Sequence, residues 1–106
     1  MKNDLTLEQI GQLAKNYVIA EIERVKARNA RAAARSVNHC IVQEMPGIQD
    51  GYCYHSGTPV GDWCKGCQNV QPYHMAYRGA ARNAQLARYK MTRAIKRMLD
   101  QEAARE

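Results

Sequence analysis

Cys40, Cys53, Cys64 and Cys67 are the only cysteines in the 106-residue chain, and all four lie in its central third. Their spacing is Cys40-x12-Cys53-x10-Cys64-x2-Cys67. Two thiolates in a C-x-x-C pair can reach one tetrahedral ion, and Gly66 eases the tight turn between them. Cys40 and Cys53 complete a four-cysteine set. Four sulfur ligands leave no open coordination position, so the expected cofactor is a structural zinc, stapling a segment too polar and glycine-rich to hold itself. His39, His55 and His74 lie near enough in sequence to replace a cysteine, and iron is a second candidate ion. Buried thiols without metal are the plainer alternative. Trp63-Cys64-Lys65-Gly66-Cys67 also has the form of a W-C-x-x-C redox motif, which needs a strand before it and a helix after it. Here a glycine-rich stretch precedes it and no parallel-sheet pattern exists.

The second set of chemistry-bearing residues is basic. Arg24, Arg28, Arg31 and Arg35 are spaced 4, 3, 4, which at about 100° per residue confines them to a stripe about 60° wide. Further on, Arg78, Arg82, Gln85, Tyr89, Arg93 and Lys96 share one helical face. Residues 24–35 hold five bases and no acid, and residues 73–99 hold seven bases and no acid. Like charges one turn apart repel. An uncompensated stripe therefore points to an anion, and arginine suits phosphate. The net charge of +6 and a pI near 9.4 agree. Tyr89 adds a ring on which an unpaired base can stack, and Tyr52, Tyr54, Trp63, Tyr73 and Tyr77 cluster around the cysteines. The expected nucleic-acid site is Arg24, Arg28, Arg31, Arg35, Arg78, Arg82, Tyr89, Arg93 and Lys96, with single-stranded DNA favoured. An acidic protein surface is the alternative partner, and a solvated basic face with no partner is the plain one.

Two helices must position these residues. Thr6 and Gln9 form a capping box. From Leu7 to Arg35 there is no proline and one glycine, Gly11. Leu7, Ile10, Ala14, Val18, Ile22, Val25 and Ala32 recur at helical spacing, predicting a helix over 7–35, roughly 43 Å long. Residues 36–72 hold five glycines and three prolines and read as a zinc-binding loop insert, with a short hairpin near Gly51–His55. Pro72 suits the first turn of a second helix over 73–102. Its seam is Tyr77, Ala80, Ala84, Ala87, Met91, Ala94 and Met98, and the tail Gln101–Glu106 is expected to fray. Large apolar residues come first in helix one and last in helix two. Antiparallel pairing thus sets large against large and small against small. The expected fold is a mainly α single domain over 1–106, two long antiparallel helices (an αα-hairpin) joined by a loop region stapled by zinc on the four cysteines. One pair of helices buries little, so its open side is left to the central loop or a second copy, and the chain is read as a monomer or homodimer.

No P-loop, H-E-x-x-H, Ser/His/Asp frame or H-x-E partner for the C-x-x-C is present, so no enzymatic activity is expected. The first residues lack an apolar secretory core, and no run reaches the roughly 18 apolar residues of a membrane span. The expected location is cytoplasmic, with no membrane partner. In size, charge and architecture the chain resembles the small orphan proteins of bacteriophages, including anti-CRISPR inhibitors of type I systems. That resemblance implies a non-enzymatic blocker of a CRISPR complex, or of the nucleic acid it handles, in the host cytoplasm. A second resemblance is to zinc-containing coiled-coil regulators of RNA polymerase, the DksA and TraR group, which carry two C-x-x-C pairs and an acidic coiled-coil tip. This chain has one such pair and basic helices.

Overall fold

The computed structural model describes residues 4–38 and 63–105. Two helices contain most of them: α1, Leu7–Val37, and α2, Lys65–Arg105. Packing divides into two compact units, Met1–Val25 with Gly79–Glu106, and Lys26–Arg78.

The start of α1 follows the capping box. The Gln9 N–H donates to Thr6 Oγ1 at 3.2 Å, and the Thr6 N–H donates to Gln9 Oε1 at 2.8 Å. Thr6 O accepts the first helical bond, from the Ile10 N–H at 3.1 Å. At the other end Asn38 Nδ2 donates to Ala34 O at 2.8 Å, and Ser36 Oγ donates to Ala33 O at 2.7 Å. Both bonds fall on carbonyls in the last turns of α1.

Helix α2 begins eight residues before the expected Tyr73, so 65–72 is helix and not loop. Cys64 is its N-cap: the Cys67 N–H donates to Cys64 Sγ at 3.4 Å, and Cys64 O accepts from the Gln68 N–H at 3.0 Å. Pro72 therefore lies inside the helix rather than in its first turn. It removes the donor that Gln68 O would otherwise meet, a penalty of about 3 kcal/mol in a helix interior. Burial offsets it: Cys67 and Val70, one turn apart, are each 2% exposed. Asn69 Nδ2 also donates to Asn38 Oδ1 at 2.9 Å, tying this added turn to the end of α1. The tail does not fray before Arg105. Gln101 Oε1 accepts from the Leu5 N–H at 3.1 Å, and Arg105 meets Asp4 at 2.9 Å. The expected hairpin near Gly51–His55 falls outside the described residues.

In the first unit the pairing is antiparallel. Leu5 meets Gln101, while Leu13 and Asn16 share a groove with Asn83, Leu86, Ala87 and Lys90. The expected α2 seam holds here: Ala84 and Ala94 are buried, and Ala80, Ala87, Met91 and Met98 are half-buried. The α1 seam differs from the expected one. Of the expected residues Ile10, Ala14 and Val25 are half-buried, whereas Leu7, Val18 and Ile22 are exposed; Leu13, Tyr17, Ala20 and Arg24 join Ile10 on the shielded side at 3–4 spacing. Ile95 and Leu99 of α2 are exposed too, so the expected meeting of large with large holds only in part, for Ile10, Leu13 and Tyr17 of α1 and Met91 and Met98 of α2. The two alanines are the unit's most buried apolar residues among those described. Small side chains at the seam let helices approach closely and push larger neighbours to the flanks.

The second unit is antiparallel as well: Asn38 meets Asn69, and Arg31 meets His74 and Tyr77. Ala34, Cys67 and Val70 are its buried apolar residues among those described. Ala27 and Arg31 are shielded on α1, while Ala32, expected on the seam, is exposed.

Candidate nucleic-acid interface

In the first unit, one face of α2 and the chain entering α1 form a groove of about 620 Å³. It is lined by Leu5, Tyr89, Lys90, Arg93, Ala94, Lys96, Arg97 and Asp100. Three expected site residues, Tyr89, Arg93 and Lys96, come together here, all exposed. Arg93 Nη1 donates to the Tyr89 hydroxyl at 3.1 Å, and its guanidinium carbon lies 5.6 Å from the ring centroid. The arginine thus holds the ring at one edge of a groove with four bases and one acid in its lining. Lys90 and Arg97 were missed by the stripe. They sit one heptad apart, each one residue after a stripe member, so a wider arc of the wheel would have included them. Arg82 is exposed on α2 but does not line this groove.

Arg24 is placed differently. Its Nε and Nη2 donate to Glu21 at 3.0 and 2.9 Å, and both side chains are about a third exposed. The hydrogen bond from Arg24 is the main reason that the Glu21 carboxyl is held below its ordinary range. Burial opposes it, and the charges of Arg24 and Arg88 reinforce it. The sequence segment 24–35 contains no acid, but this acid lies one turn before it.

In the second unit Arg31 is turned onto α2. Its guanidinium stacks 4.1 Å from the Tyr77 ring centroid, and Nη1 lies 3.4 Å from His74 Nδ1. Arginine only donates, so His74 Nδ1 accepts, which assigns the neutral tautomer with its proton on Nε2. Burial pushes the His74 pKa down, and the positive charges of Arg31, Arg35 and Arg78 add to that. Arg28, Arg35 and Arg78 are exposed. The four-residue α1 stripe therefore does not act as one surface: Arg24 is paired with Glu21, Arg31 is stacked on Tyr77, and Arg28 and Arg35 face outward.

Of the four expected metal ligands, Cys64 and Cys67 are described and Cys40 and Cys53 lie outside the described residues, as do His39, His55, Tyr52 and Tyr54. Among the described residues no three His, Cys, Asp or Glu side chains gather at metal-binding range. Cys64 suits a thiolate site in its chemistry, while Cys67 is buried at 2% exposure. A helix N-terminus favours the anionic sulfur, and the backbone N–H of Cys67 donates to Cys64 Sγ. The C-x-x-C thus rides on a helix start and is not a loop knuckle. That also supplies the helix which a W-C-x-x-C redox motif requires, though no strand precedes it among the described residues.

Within the described residues no helix is long and apolar enough to cross a membrane. Comparison with known proteins finds no matching family model, no matching curated relative and no matching solved structure.

Proposed function

We propose that this chain is a non-enzymatic nucleic-acid-binding protein that favours single strands, DNA first. The observation that supports this reading is the groove of the first unit. It combines Lys90, Arg93, Lys96 and Arg97 with a tyrosine whose ring Arg93 positions. Cations track a phosphate backbone, and an aromatic face beside them accepts an unpaired base regardless of its identity. Arg28, Arg35 and Arg78 extend the basic surface within the second unit, and Arg82 within the first. Arg24 and Arg31 serve the fold in this reading.

The proposal includes a structural zinc. Cys64 and Cys67 would be two of its ligands, with Cys40 and Cys53 the others, and the ion would fix the start of α2. The resemblance to phage anti-CRISPR proteins extends the proposal to a biological role, a block on the nucleic acid handled by a host CRISPR complex. It rests on size, charge and helical build.

The test is a fluorescence-anisotropy titration against labelled single- and double-stranded DNA and RNA at two salt concentrations. Tighter binding to single strands, weakening steeply with salt, is the expected result. No binding at low salt overturns the proposal. It would transfer the basic face to an acidic protein surface, such as the transcription-regulator reading invokes.

A further inference from the structure

The first unit carries a second surface on a different side from the basic groove. On α1, Leu7, Val18 and Ile22 are 78%, 54% and 49% exposed, and on α2 Ile95 and Leu99 are 39% and 64% exposed. At about 100° per residue, Leu7, Gly11, Val18 and Ile22 form a stripe roughly 120° round α1 from the seam of Ile10, Leu13, Tyr17 and Ala20. Ile95 and Leu99 are displaced in the same rotational sense from the α2 seam. In an antiparallel pair, equal rotation from the two seams leads to one side of the hairpin. The influence of Arg88 on Glu21 agrees, since both residues are displaced to that side. A helix with two apolar stripes about a right angle or more apart is built to contact two neighbours. Here α2 supplies one of them.

We infer that this face pairs with the same face of a second copy, giving a two-fold four-helix bundle. Charge argues for a copy of this chain. Residues 4–25 hold four acids and two bases, net −2; of residues 79–105, Lys90, Arg93, Lys96, Arg97 and Asp100 line the groove on the other side, leaving Arg82, Arg88 and Arg105 against Glu102, net +2. A two-fold axis parallel to the helices lays α1 of each copy over α2 of the other. Acidic then meets basic twice, and Glu21 of one copy meets Arg88 of the other. Shape argues the same way. Leu5 bonds Gln101, six residues before Gly11 and six residues after Ile95, so Gly11 and Ile95 share a level. A Cβ added at Gly11 would meet nothing within 4 Å, which leaves a notch for Ile95 of the second copy. Area is sufficient. Ten half-exposed aliphatic side chains at on the order of 80 Å² each supply about 800 Å² of apolar surface. At about 65% apolar, the interface totals about 1,200 Å², the low end for stable complexes. The basic groove stays open in this arrangement.

The test uses the full chain without nucleic acid, so it is independent of the proposed binding activity. Sedimentation equilibrium over a wide protein concentration should give twice the 12.0 kDa chain mass. Ile95→Asp and Val18→Asp should each weaken the dimer at least tenfold with helical circular dichroism retained. Leu86→Asp, an exposed apolar position on the other side, should leave it intact. A monomer at all concentrations overturns the inference, and means that another segment or another protein covers the face. A dimer that survives Ile95→Asp and Val18→Asp, or one that Leu86→Asp disrupts, overturns it as well. If the Asp variants unfold, the wild-type melting temperature decides: it should rise with protein concentration, and a constant value rejects the dimer.

Discussion

The two units use the same side chain in opposite ways. In the first, Arg93 faces outward, holds Tyr89 and lines an open basic groove. In the second, Arg31 lies on the helix–helix seam with its guanidinium flat on Tyr77 and beside His74. What separates them is register. Arg93 stands off the α2 seam, where a cation stays solvated and free to meet phosphate. Arg31 sits at a seam position, where its methylene stem fills space between helices and its head needs an aromatic ring. A basic residue count treats both alike, whereas position on the wheel assigns one to a surface and the other to the fold.

The largest effect that would sharpen this contrast involves cysteine, which the described part of the second unit has and the first unit lacks. Cys64→Ser with Cys67→Ser should remove bound zinc and melt the second unit's helix start, with hydrogen exchange in α1 near the Thr6 cap little changed. A structural zinc contributes on the order of 10 kcal/mol to the fold it organises. Metal analysis and exchange mass spectrometry read the result. An unchanged melting temperature, with no metal in either protein, would sink the zinc proposal.

Next in size is the groove. Lys90→Ala, Arg93→Ala and Lys96→Ala combined should reduce the salt dependence of single-strand binding by about 2 in log–log slope, since each phosphate contact contributes about 0.7. Affinity at low salt should fall with it, while circular dichroism stays native because these residues are exposed. Unaltered binding would move the activity off this groove. Arg31→Ala should do the reverse. It should lower stability by about 1–2 kcal/mol through the lost stacking and stem packing, and leave single-strand affinity within about threefold. A large loss of affinity with unchanged stability would make Arg31 a contact residue and collapse the distinction between the units.

Which parts were legible in the sequence follows the same logic of register. The Thr6–Gln9 box is local, and the structure realises both of its hydrogen bonds. The α2 seam and its polar face were legible because small and basic residues there alternate cleanly, and Arg78, Arg82, Gln85, Tyr89, Arg93 and Lys96 are all exposed. The α1 seam was legible only in part, because α1 carries two apolar stripes: Ile10, Leu13 and Tyr17 lie on the paired one, and Leu7, Val18 and Ile22 on the exposed one. Bulk alone does not tell the two stripes apart, since both carry large aliphatic side chains. Pro72 misled for a related reason. Local propensity places a proline in a helix's first turn, but burial of Cys67 and Val70 and the capping by Cys64 outweigh one lost hydrogen bond and start the helix earlier. Fraying of the tail is a purely local expectation, and contacts to Leu5 and Asp4, distant in sequence, hold it.

The smallest expected effect is a pH dependence confined to the second unit. The His74 pKa is lowered in the folded chain by burial and by Arg31, Arg35 and Arg78. The unfolded chain therefore binds the proton more readily than the folded one. The stability that follows is fully present above the ordinary histidine value of 6.5, and is lost as pH falls from there through the folded value. Protonation would also replace the acceptor that Arg31 meets with a donor, adding a fourth positive charge to three arginines. Wild-type protein should melt a few degrees lower at about pH 5 than at about pH 7.5, and His74→Gln should flatten that difference. Glu21 provides the internal contrast. Its carboxyl is lowered, so its contribution is present above its ordinary value of 4.5 and disappears only in more acidic solution. A loss across the same pH interval that persists in His74→Gln would assign the titration to another group and leave the Arg31–His74 contact without thermodynamic weight.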